Sequence, residues 1–143
     1  RFAAPRETLH ELFGRLVFNI LCGNTDDHAR NHAAFWDGAS LTLTPAYDIC
    51  PQGRTGNEAS QAMLIAGDIR ASRLAVCLEA APIFHLDAKA AAALVADQIE
   101  ALHALWPGIC DEAALSEVDA GRIFLNPFIF EGAPAALRPS RLT

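Results

Sequence analysis

The sequence predicts a mainly helical domain that carries one small β-hairpin. Three observations lead there: two long stretches place apolar residues at helical spacing, one Asp-Gly pair separates two short segments, and 143 residues without an internal repeat suit a single core.

The first stretch, residues 5–22, opens with Pro5, which suits a first helical turn. It then repeats Leu9, Leu12, Phe13, Leu16, Val17, Ile20 and Leu21 at helical spacing, so a buried helix is expected to stop at Gly23. A polar loop follows, and after it Asp37-Gly38 is a turn signal between the segments 33–36 and 40–44, read as a hairpin. Residues 49–60 carry Gly, Pro and Asn at the density of an irregular loop. Helices are expected over 72–81, capped by Ser72, over 87–105, capped by Asp87 and ended by Pro107-Gly108, and over 111 to about 124. The lobe is thus expected to cover residues 1–130, with 131–143 an extended or frayed tail, since that tail has two prolines and no apolar period.

Composition narrows the function classes. Hydrophobic residues make up 52% and charged residues 20%, which leaves apolar surface for a partner. A net charge of -6 without a basic run sets nucleic acid aside as the ligand of this chain. Cys22, Cys50, Cys77 and Cys110 form no C-x-x-C pair and read as free thiols of a reducing cytoplasm. No apolar run reaches the roughly eighteen residues of a membrane span, so a cytoplasmic protein without a membrane partner is expected. A chain that starts at Arg1 and whose one methionine is Met63 is expected to be a processed product, a trimmed chain or the ordered part of something longer.

The chemistry is concentrated in GNTDDHARNH, residues 23–32, which packs two carboxylates, two histidines and two asparagines into ten positions. Asp26 and Asn31 stand in the pattern D-x-x-x-x-N, and a third oxygen ligand, Asp48, arrives after the hairpin. Protein kinases use such an order: a loop Asp orients the substrate hydroxyl and accepts its proton, an Asn five residues on holds magnesium, and an Asp beyond the next strand pair holds magnesium against the phosphates. Magnesium requires oxygen ligands, which Asn and Asp supply.

Here histidine follows the first Asp by two positions, Asp26 then His28, instead of preceding it. This D-x-H-x-x-N spelling, followed by LTLTPAYD, resembles the C-terminal lobe of HipA-like serine/threonine kinases, the toxins of bacterial toxin–antitoxin modules. The resemblance is strongest over residues 9–50 and continues more loosely beyond. It implies the helical C-terminal lobe of a protein-kinase-like fold, with ATP and Mg2+ as cofactors. It also implies Asp26 as catalytic base and Asn31 and Asp48 as metal ligands. Asp27 is the rival base; the five-residue spacing to Asn31 favours Asp26. His28 is assigned to a phosphate oxygen and Arg30 to phosphate charge on residue type alone. The implied partners are a protein substrate bearing Ser or Thr and an antitoxin-like protein.

Other readings compete. His28 and His32 are four apart and would share a zinc ion on a helix, but the flanking Gly and Asn favour a loop, and H-E-x-x-H is absent. His10, His85 and His103 fall beside helical patterns and carry no ligand role. Trp36, Trp106 and the phenylalanines at 124, 128 and 130 read as core or lobe-interface packing. The one lysine, Lys89, lies well downstream of the loop, and Gly53 and Gly56 come after it, so neither a phosphate-gripping lysine nor a G-x-G-x-x-G loop stands in kinase order. The expectation is therefore a catalytic lobe whose nucleotide-gripping N-terminal lobe is missing, inactive by itself. The alternative is a non-catalytic lobe that binds an antitoxin-like partner.

Overall fold

The computed structural model describes residues 1–53 and 58–138, and the middle of the loop expected at 49–60 lies outside them. Helix α1, Pro5–Leu21, is followed by the polar loop with a 3-10 turn at Ala29–Asn31, then strands β1, Ala34–Trp36, and β2, Leu41–Leu43. Helices α2, Leu74–Ala80, α3, Ala88–Glu112, and α4, Glu117–Ile123, complete the lobe with 3-10 turns at Ala81–Phe84, Pro127–Phe130 and Ala135–Leu137. The domain is mainly helical with one two-stranded antiparallel sheet, as the sequence predicts.

The core forms because α1 turns Phe13, Val17 and Ile20 to one side, where they meet Leu74 and Cys77 of α2 and Ala91 and Val95 of α3, all fully buried. Phe13 meets Phe84 edge to face at 5.5 Å, the arrangement that ring quadrupoles favour. Gln98 of α3 donates to the carbonyl of Gly14 at 2.9 Å, so the two long helices are tied by a polar bond as well as by packing. Burial pushes the Cys77 thiol up to about 12, and the Cys22 thiol is raised for the same reason, so both stay protonated thiols.

In the hairpin, Ala34 pairs with Leu43, Phe35 with Thr42 and Trp36 with Leu41. Asp37 closes its turn by accepting from the amides of Ser40 at 2.7 Å and Ala39 at 2.8 Å, while Gly38 takes a φ of 98°. Those donors, Ser40 first, hold the Asp37 carboxyl below the usual carboxylate range.

The structure corrects several expectations. Ser72 does not cap α2, which starts at Leu74 with Arg73 in the cap position; instead Ser72 is used in a bridge, its amide donating to Ala59 and its hydroxyl accepting from Gln61. Asp87 does cap α3, accepting from the amide of Ala90 at 2.7 Å. That helix, however, runs through Pro107 to Glu112, although an internal proline forfeits a backbone bond and crowds the preceding turn. Packing on both sides of the proline offsets this: Trp106 stacks on Phe124 at 5.3 Å, and Leu102 and Ile109 share an apolar pocket with Ile123 and Leu125. Asp111 and Glu112 accordingly belong to α3, and the last helix is shorter than expected, capped by Ser116. Residues 131–138 depart from an extended tail, because Ala133 and the Leu137 of a 3-10 turn are buried in the core. Residues 139–143 lie outside the described residues. Trp36 is not core: it and Phe35 stand exposed on the hairpin.

Candidate active site

The loop leaves α1 through Gly23, whose φ is 76° and whose position would bring a Cβ to 2.3 Å from the Gln52 carbonyl oxygen. Only glycine fits there, and the Gln52 amide fastens the same place by donating to the Cys22 carbonyl at 3.1 Å. Asn24 then reaches back under the loop. Its amide donates to Asn19 Oδ1 at 2.9 Å, and its own Oδ1 accepts from the backbone of Asp26 at 3.3 Å. Asn19 and Asn24 are both buried, so the loop starts from a satisfied polar pair inside the core edge.

From that anchor the two carboxylates part. Asp26 is 75% exposed and its Oδ1 lies 2.8 Å from His28 Nε2. Asp27 turns inward to 7% exposure, where its Oδ1 lies 2.9 Å from His32 Nε2. The Ala62 amide donates to the Thr25 carbonyl at 3.0 Å and holds a distant segment against the loop just before this division.

Asn31, at the end of the 3-10 turn, is buried and donates through Nδ2 to Asp48 Oδ2 at 2.9 Å. Asp48 follows the hairpin in a left-handed conformation, φ 56°, which Asp tolerates better than most residues. Its neighbour Tyr47 donates to the Arg30 carbonyl at 2.6 Å, so the segment after the hairpin is bound to the loop twice. The hairpin is held in turn by Arg15 of α1, which is buried, pairs with Glu11 at 2.9 Å and donates to the Thr44 carbonyl at 2.7 Å.

Of the residues singled out in the sequence, the structure brings Asn31 to Asp48 and His28 to Asp26, and it leaves Arg30 exposed at the rim. The two histidines take different partners, and among the described residues no group of three or more His, Cys, Asp or Glu side chains could hold a metal ion. This removes the zinc reading. Sequence reasoning missed Arg15, Asn19, Asn24 and Tyr47. Arg15 and Asn19 were detectable as a polar pair four apart amid the apolar positions of α1.

The model of the HipA-like C-terminal domain matches residues 1–106, which hold all of α1, the loop, the hairpin and α2 and most of α3. The chain belongs to this family. No curated protein and no solved structure matches it. Within the HipA-like domain, the matched region contains every candidate site residue from Asp26 to Asp48, and α4 with the final turns lies beyond it.

The donor set of this HipA-like domain suits a hard divalent cation of the magnesium type. The amide nitrogen of Asn31 donates to Asp48, so an amide and a carboxylate, each with an oxygen to offer, sit on neighbouring side chains. Magnesium takes one or two such protein oxygens and completes its shell with water and phosphate. Among the described residues, no helix is long and apolar enough to cross a membrane.

Proposed function

We propose that this HipA-like domain is the catalytic lobe of an ATP- and Mg2+-dependent serine/threonine protein kinase. The observation that carries the reading is the convergence of Asn31 and Asp48, seventeen residues apart, at 2.9 Å on the loop that presents Asp26 to solvent.

Asp26 is the group placed to accept the proton of a Ser or Thr hydroxyl. Its exposure admits a substrate chain, while Asp27 is covered and committed to His32. His28 steers the Asp26 carboxylate and presents a ring edge for a phosphate oxygen; Arg30 stands exposed to offset phosphate charge. The carbonyl of Asn31 and the carboxylate of Asp48 would hold Mg2+. The bound ion supplies charge neutralisation at the β- and γ-phosphates. The protein's remaining contribution is alignment, with the hydroxyl in line with the phosphorus and little covalent work.

A phosphate-covering loop and a lysine would come from a second, N-terminal lobe, since Lys89 is exposed on α3, far along the chain from the loop. The cytoplasm is the compartment that supplies ATP to such an enzyme, and an antitoxin-like protein is the partner the family suggests. A second reading, a non-catalytic lobe that binds such a partner, is favoured by the exposed Phe35 and Trp36 on the hairpin.

The test is phosphate transfer from labelled ATP by the full-length protein. Asp26→Ala and Asp48→Ala should each lower it by about a hundredfold or more; circular dichroism should stay that of the unaltered protein in both, with melting unchanged in Asp26→Ala and lowered in Asp48→Ala, where buried Asn31 loses its acceptor. Activity retained in either variant removes that residue's role.

A further inference from the structure

The second half of α3 carries an exposed surface that the phosphotransfer reading does not use. Its inner face sends Leu102 and Trp106 toward Ile123, Phe124 and Leu125. On the outer flank Asp97 and Glu100 stand at one end and Asp111 and Glu112 at the other, all four exposed. Helical spacing places Ala101, Ala104, Leu105 and Gly108 between them, and Leu105 is 61% exposed. Alanine and glycine there leave the helix open to the close approach of another backbone, with one leucine to cover. At 1.5 Å per residue the two carboxylate pairs stand about 20 Å apart.

The charge on this face is one-sided. From residue 90 to residue 121 the chain has six Asp and Glu and no Lys or Arg. Among the described residues, none of the four carboxylates on the flank takes part in an ion pair. The histidine of this stretch, His103, lies edge to face on Phe124 at 5.0 Å. Asp111 and Glu112 also sit in the last turn of α3, where the backbone dipole disfavours negative charge and no basic residue answers it. An anionic lipid surface or a nucleic acid would be repelled here. A cationic protein segment would relieve both the mutual repulsion and the dipole cost.

We propose that this face docks an amphipathic helix of a partner protein, one whose apolar stripe is bracketed by Lys or Arg pairs about thirteen residues apart, to match the carboxylates at the two ends. The family match ends at residue 106, so half of the face lies beyond the region that the family shares. Docking there does not depend on the phosphotransfer reading, since Asp26, Asn31 and Asp48 lie on the polar loop and after the hairpin.

The full chain is titrated with a labelled helical peptide of about twenty residues that carries two Lys-Lys pairs at this spacing around an Ala- and Leu-lined stripe. A control peptide of the same composition spreads its lysines evenly round the helix. Fluorescence anisotropy should show saturable, salt-sensitive binding of the patterned peptide, about tenfold or more tighter than the control, with NMR amide shifts centred on residues 97–112. Asp97→Lys combined with Glu112→Lys should remove that preference, and Leu105→Glu should weaken binding. Glu58→Lys combined with Glu79→Lys alters net charge equally at exposed positions elsewhere and should retain the preference. Equal affinity for the two peptides, shifts centred on another surface, or equal loss in both charge-reversed variants would each overturn the proposal. So would dimerisation of the protein alone, seen by sedimentation and removed by Leu105→Glu, which would make a second copy the occupant. Should a variant fail to fold, the ratio of the two peptide affinities in the unaltered protein decides the matter.

Discussion

Two Asp–His pairs, made of the same residue types and set at nearly the same distance, stand in opposite surroundings on one loop. Asp26 meets His28 at 2.8 Å with its carboxylate 75% exposed, whereas Asp27 meets His32 at 2.9 Å with its carboxylate 7% exposed. An exposed ion pair contributes little to stability, because water screens it and competes for both partners. A buried carboxylate that loses its partner leaves an uncompensated group in low dielectric, so the inner pair is structural whatever chemistry the outer one performs. Adjacent aspartates therefore differ: one carboxylate faces solvent, as the proposed function requires of a base, and its neighbour keeps the loop in shape.

The largest effect that would sharpen this division is on rate. Asp26→Ala should lower phosphotransfer by about a hundredfold or more, the usual share of a positioned base, with a change in unfolding free energy within about 0.5 kcal/mol. Initial rates and urea melts of the same preparation check both halves. A comparable loss of stability would mean that the outer pair is structural too.

Asp27→Ala should behave in the reverse sense, costing about 2–3 kcal/mol of stability by orphaning His32 in the loop's inner face. Asp27→Asn, which keeps an acceptor for the ring, should cost less. Urea midpoints rank the two, and an unaltered midpoint for Asp27→Ala would break the contrast with Asp26. Gly23→Ala should cost about 1–3 kcal/mol, because the new Cβ meets a backbone oxygen at a positive φ and the loop's departure from α1 must shift.

The smallest effect concerns the hairpin turn, which is as exposed as the outer pair. Since the Asp37 carboxyl is held below its ordinary range in the fold, its contribution is present above the usual carboxylate pKa and is lost as pH falls through the depressed value. Asp37→Ala should lower stability slightly near neutral pH and flatten that acid-side slope, so that the two proteins converge at low pH. Thermal melts between neutral and strongly acid pH, compared with the unaltered protein, measure it; an identical acid slope would show that the turn carboxylate plays no part.

The course of α1, the presence of the hairpin and the Asp87 cap were legible in the sequence because each depends on neighbours within a few residues: apolar spacing, an Asp-Gly turn and a side chain three positions from its amide. The D-x-x-x-x-N motif marked Asn31, and the order loop, hairpin, Asp marked Asp48; the structure sets these two side chains at 2.9 Å. The opposite facing of Asp26 and Asp27 was not legible. It depends on contacts from remote segments, the Gln52 carbonyl against Gly23, the Ala62 amide on Thr25 and the Asn24–Asn19 pair beneath. Pro107 misled for a related reason: its local preference is to end a helix, and the stacking of Trp106 on Phe124, eighteen residues away in sequence, prevails. Ser72 could have capped α2 on local grounds, yet its polar atoms are taken by Ala59 and Gln61. Ala133 and Leu137 escaped notice because two buried residues between prolines are too few to set an apolar period.

The central claim is that Asn31 and Asp48 form one half of a divalent-cation site on the loop that offers Asp26 to a substrate. The most direct measurement is a crystal structure of the protein soaked with Mn2+, read for anomalous density. The account predicts a peak within coordination distance of the Asn31 carbonyl oxygen and the Asp48 carboxylate, with Asp26 facing the same cleft. A peak on His28 or His32, or Asn31 and Asp48 side chains turned apart with no peak between them, would contradict it.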